Sequence, residues 1–108
     1  MTDSTPQAGW HRETLAVRQA VPRSQYGEHS EALYLTSSFV QPDSETSAHN
    51  FAHPEDGYTY TRTGNPTVAS FEERLAAMEG TECAVATSTG MSAILLVALT
   101  ALKAGDHI

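Results

Sequence analysis

From Asn65 onward the apolar positions fall into order. Val68, Phe71, Leu75 and Met78 recur at spacings of three, four and three, which marks one face of a helix. Asn65 suits the N-cap, Pro66 the first helical position and Gly80 the stop. Glu72, Glu73 and Arg74 fall on other faces, and the acidic pair reads as solvated surface. Cys83 to Ala86 (CAVA) is a short apolar run suited to a buried strand, which makes Cys83 a small buried hydrophobe. Thr87-Ser88-Thr89-Gly90 is the turn that follows. Met91, Ile94, Leu95, Ala98, Leu99 and Leu102 then line one face of a second helix, with Leu96 and Val97 adding apolar surface elsewhere. Lys103 falls in its last turn and Gly105 just beyond. A helix this apolar expects cover on more than one side.

The first half carries weaker signals. Residues 1–12 are polar and expected to fray. Glu13 to Ala20 predicts two helical turns before Pro22, and Arg23 to Glu31 a loop. Ala32 to Val40 has the composition of extended chain, and Gln41 to Gly57 that of a loop with one short helical turn around Ser44 to Phe51. Such a polar stretch cannot make a core of its own. The chain therefore divides into an arm, 1–57, ordered against another surface, either the rest of the chain or a partner subunit, and the opening of an α/β domain, 58–108.

One place in this pattern carries chemistry. A strand, a polar glycine turn and a helix start gather unpaired backbone N–H groups and the positive end of a helix dipole at one spot. Tyr60 and Arg62, two residues apart, share one face if their backbone is extended. Together these parts predict a bound phosphate.

Composition narrows the field. Thirteen acidic residues against six basic ones give a net charge of −7, and no Lys/Arg cluster exists. Nucleic acid and anionic membranes are poor partners for such a surface. Cys83 stands alone, so no disulfide forms within the chain and a reducing, cytoplasmic setting is expected. The opening residues lack an apolar signal-like run, and Ala93 to Leu99 is far too short to span a bilayer. His49 and His53 have metal-like spacing, but Pro54 follows and no helical pattern supports them, so no metal site is expected. His11, His29 and His107 are scattered. The 108 residues end at Asp106-His107-Ile108, where a new strand is due, and a longer protein is expected.

Tyr60-Thr61-Arg62, Asn65-Pro66-Thr67, Phe71-Glu72 with Leu75, Met78-Glu79-Gly80, and Thr89-Gly90-Met91 followed by Ala93-Ile94 resemble the Cys/Met-metabolism family of pyridoxal-phosphate (PLP) enzymes. That family includes cystathionine γ-synthase, the cystathionine lyases, methionine γ-lyase and the homoserine-ester sulfhydrylases. The earlier runs Glu13 to Arg18, Gly27-Glu28-His29 and Glu31 to Ser38 look most like its O-succinylhomoserine sulfhydrylase branch.

The resemblance implies an aspartate-aminotransferase-like (fold type I) large domain with a mostly parallel sheet, in dimers or tetramers. It implies that Tyr60 and Arg62 reach the PLP phosphate of the neighbouring subunit. The turn Thr89-Gly90-Met91 would hold the phosphate of its own subunit's cofactor, mainly through backbone N–H groups. The implied activity belongs to methionine biosynthesis: homocysteine made from O-succinylhomoserine and sulfide. Cystathionine γ-synthase or a γ-lyase is the alternative within the family, and a non-catalytic phosphate-binding or oligomerisation fragment the alternative outside it. PLP chemistry needs a lysine for the aldehyde and an acid for the ring nitrogen. The family places both beyond Ile108. Lys103 does not serve, because about 18 Å of helix, at 1.5 Å per residue, separates it from Met91.

Overall fold

The computed structural model describes residues 9–108, so the first eight residues of the stretch expected to fray lie outside it. Four helices follow in order: α1 (Arg12–Arg18), α2 (Ser44–Ala52), α3 (Pro66–Glu79) and α4 (Gly90–Ala101). Among the described residues there is no strand, only a single antiparallel bridge between Ser38 and Tyr60.

Helix α3 has the ends its sequence predicts. The Asn65 side chain accepts a hydrogen bond from the Thr67 amide, Pro66 opens the helix, and Gly80 closes it in the left-handed region at φ 68°. Glycine takes that conformation without the steric penalty of a Cβ. Helix α1 packs on α3 and on no other helix. Arg12 bridges to Glu79 at 2.7 Å, an exposed pair that contributes little. The stronger tie is Arg74, assigned by sequence to an outer face. Its Nε donates to the Gln19 carbonyl and its Nη1 to Glu31, both at 3.0 Å, which draws the arm onto α3.

Helix α2 is longer than the single turn expected. Asp43 explains this: its carboxylate accepts from the Thr46 amide at 2.7 Å and caps a helix of nine residues. The loop that carries α2 is closed at its base. Phe39 N–H donates to Thr59 O, Thr61 N–H to Ser37 O, and Gln41 Nε2 to both Phe39 O and Tyr58 O. Asn50 Nδ2 donates to Gln41 Oε1 at 2.8 Å, and a Cβ at Gly57 would come within 2.6 Å of that Asn50 nitrogen. Only glycine leaves Asn50 its place.

Other expectations are corrected. Cys83 to Ala86 forms no strand, and Ala32 to Val40, expected as extended chain, pairs only at the Ser38 bridge. A strand exists only when a neighbour supplies the other half of its ladder, and the described residues supply none. Cys83 is accordingly exposed, not buried. Glu72 is not free in solvent, because the Ala86 amide donates to its carboxylate at 2.7 Å. Helix α4 stops at Ala101, short of Lys103, where the Asp106 carboxylate takes the Lys103 amide at 2.8 Å and turns the backbone away.

The apolar faces find no cover within the described chain. Ala76, 6% exposed, is the sole buried hydrophobic side chain among the described residues, and Phe71 and Leu75 remain open. Met91 and Leu99 are each 71% exposed. The radius of gyration is 16.6 Å, against about 13 Å for a compact chain of this length.

Candidate functional site

The start of α4 is built by Thr89. With φ −150° and ψ 155° it stands outside the helix, and its hydroxyl accepts from the Ser92 amide at 3.1 Å. The same hydroxyl lies 2.9 Å from Ser92 Oγ, and Thr89 O receives the Ala93 amide. Those bonds consume the third and fourth amides of the first turn. The amides of Thr89, Gly90 and Met91 have no hydrogen-bond partner among the described residues. A Cβ at Gly90 would meet no atom within 4 Å, so the approach to these three N–H groups is open. The Met91 side chain is exposed and makes no polar contribution.

Tyr60 and Arg62 come together, though not as expected. Their backbone is a tight turn, not an extended segment: the Thr63 and Gly64 amides both donate to Tyr60 O, as does the Thr63 hydroxyl at 2.7 Å. Across this turn the guanidinium of Arg62 lies over the Tyr60 ring, 5.0 Å from its centre. Arg62 enters no ion pair among the described residues, whereas Arg12 and Arg74 are matched to carboxylates. No hydrogen bond or ring contact among the described residues joins Tyr60 or Arg62 to the start of α4.

The turn itself is held from an unexpected side. Asn65 is 4% exposed. Beyond capping α3, its Nδ2 donates to Tyr34 O at 3.0 Å and to Thr61 Oγ1 at 3.1 Å. The Thr61 hydroxyl passes on to Thr36 O, and Thr67 Oγ1 accepts from the Tyr34 amide at 2.9 Å. Sequence marks Asn65 as a cap; nothing local marks its second nitrogen-borne hydrogen for the arm.

His49 and His53 also depart from expectation. His49 lies in α2 and His53 caps it, with the two rings 4.7 Å apart. Each faces a carboxylate, His49 with Asp56 at 2.8 Å and His53 with Glu55 at 3.4 Å. Among the described residues no group of three or more His, Cys, Asp or Glu side chains is placed to hold a metal ion. No described helix is long and apolar enough to cross a membrane.

Comparison with known proteins decides the family. The sequence profile of the Cys/Met metabolism PLP-dependent enzymes matches residues 13–108. The chain belongs to this family. It is 50% identical over 96 residues, 89% of its length, to an O-succinylhomoserine sulfhydrylase of Pseudomonas aeruginosa. An L-methionine gamma-lyase of Fusobacterium nucleatum is 44% identical over 88% of the chain. An O-succinylhomoserine sulfhydrylase of Mycobacterium tuberculosis is 42% identical over the whole of it. The chain spans 24%, 24% and 28% of these three relatives, about a quarter of each.

Pyridoxal phosphate is the cofactor of the Cys/Met metabolism enzymes. The residues present fit a phosphate in their chemistry: the three open amides at the start of α4 and, separately, the Arg62 guanidinium and Tyr60 phenol are all groups able to donate to anionic oxygen. Membership also implies fold type I. The helices described here carry no part of its sheet.

Proposed function

We propose that these residues belong to a PLP-dependent O-succinylhomoserine sulfhydrylase that makes homocysteine from O-succinylhomoserine and sulfide. In that reaction the Cγ–O bond breaks, succinate leaves with the electron pair, and sulfide forms the Cγ–S bond. What supports the reading is the triplet of open amides at Thr89, Gly90 and Met91, in a chain 50% identical to an enzyme of that name.

Bound PLP supplies the electron sink that lets the substrate's α-proton leave. The part of these residues is anchorage. The amides of Thr89, Gly90 and Met91 hold the phosphate at the positive end of α4, with the Thr89 hydroxyl occupied in keeping that end formed. Tyr60 and Arg62 serve the phosphate of a neighbouring subunit, so the enzyme works as a homo-oligomer of dimers or tetramers. Residues 1–57 form a subunit-contacting arm, and residues 58–108 open an α/β large domain of aspartate-aminotransferase type. The proton-transferring lysine is supplied from elsewhere in the full-length protein, and the 108 residues alone are inactive. The setting is cytoplasmic.

A second reading, methionine γ-lyase, draws on the 44% identical relative of that name. Full-length protein given O-succinylhomoserine and sulfide should release succinate and homocysteine in equal amounts. Release of methanethiol from methionine, with no homocysteine from the ester, would replace the first reading by the second.

A further inference from the structure

We infer that Thr61 and Asn65 are positioning residues that set the Tyr60–Arg62 turn for the cofactor phosphate; the inference rests on the reading that this pair serves the phosphate. Tyr60 and Arg62 are exposed, and Arg62 has no ion pair among the described residues to hold it. Their backbone, by contrast, is pinned. Thr61, between them, gives its amide to Ser37 O at 2.9 Å and its hydroxyl to Thr36 O. That hydroxyl in turn accepts from Asn65, whose amide nitrogen also holds Tyr34 O.

Both hydrogens of the Asn65 carboxamide nitrogen are thus used, one on the turn itself and one on the arm. Capping alone needs only an acceptor, which Ser or Asp would supply as well. The two nitrogen-borne hydrogens do something else: one reaches Tyr34 O in the arm, 31 residues earlier, and the other braces the Thr61 hydroxyl, which itself donates to Thr36 O, 25 residues before it. A contact made by long exposed side chains gains affinity when the backbone beneath them is fixed beforehand. Thr61 and Asn65 therefore act on the phosphate through Tyr60 and Arg62, without touching it.

The test uses full-length protein and equilibrium dialysis of PLP, with apoprotein melting curves alongside. Thr61→Val, which removes the hydroxyl but keeps the shape, is expected to weaken PLP about tenfold, and Thr61→Ser to restore it to within about twofold of wild type. In a Tyr60→Phe/Arg62→Ala background the same Thr61→Val change should cost less than about twofold, because both of its routes to the phosphate are gone. An undiminished loss in that background would mark a general structural role and overturn the inference. Where Thr61→Val fails to fold, Asn65→Asp replaces it, keeping the cap acceptor and dropping both donors, with the same expected loss. Wild-type PLP affinity in these variants, while Arg62→Ala weakens binding, overturns the inference alone. Wild-type affinity in Arg62→Ala overturns the reading beneath it.

Discussion

Arg62 rests on the face of Tyr60, its guanidinium carbon 5.0 Å from the ring centre, although only one residue separates them along a tight turn. An exposed cation–π contact is worth about 0.5–1 kcal/mol. A charge-assisted hydrogen bond to phosphate is worth about 1.5–3 kcal/mol. The stacking thus sets the place of the cation, and a phosphate placed beside it would outweigh the stacking.

Arg62→Ala in the full-length protein should therefore raise the PLP dissociation constant by about 10- to 150-fold, the equivalent of about 1.5–3 kcal/mol. Arg62→Lys should fall between, since it keeps the charge and loses the planar fork. Dialysis against free PLP measures both.

Gly90 offers a cleaner separation of fold from ligand. It is the first residue of α4, and a Cβ there meets nothing within 4 Å. Gly90→Ala should leave the protein as stable as before, or firmer by up to about 1 kcal/mol, while PLP binds less tightly because the methyl group crowds its phosphate. Paired melting and dialysis measurements give the two effects separately.

Acid should loosen the arm from α3. The hydrogen bond from Arg74 holds the Glu31 carboxyl below its ordinary value of 4.5. A carboxylate lowered on folding stabilises the fold above its unfolded value, and that stabilisation is lost as pH falls through the folded one. Hydrogen exchange in residues 19–31 should accelerate from about pH 5 downward relative to its intrinsic pH dependence. Glu31→Gln should flatten this extra acceleration.

The 108 residues purified alone should bind a hydrophobic dye and self-associate, because α4 presents Ile94, Leu95, Val97 and Leu99 to solvent. Leu95→Glu with Leu99→Glu should reduce both, as read by dye fluorescence and light scattering. This piece should retain PLP weakly and carry no turnover.

What the sequence made legible was local. Asn65, Pro66 and Gly80 place the ends of α3 because caps are formed by neighbours in the chain, whereas Thr89, read only as part of a turn, proves to cap α4 in the same way. Asp43 was an equally local signal for α2, masked by the polar composition around it. The apolar run at Cys83 to Ala86 could not become a strand without a ladder partner. Tyr60 and Arg62 meet across a turn closed on Tyr60 O, where their spacing predicts extended chain. Asn65's grip on Tyr34 spans 31 residues, and no short-range pattern encodes it.

The clasp formed by Gln41, Thr59 and the Ser38–Tyr60 bridge has a practical corollary. Everything between its two sides is one closed loop, sealed before the chain reaches Arg62. A protease site spliced in at Pro54–Asp56 would leave the Tyr60-to-Asn65 spacing untouched, and the rate of its cleavage would report whether a partner covers that loop.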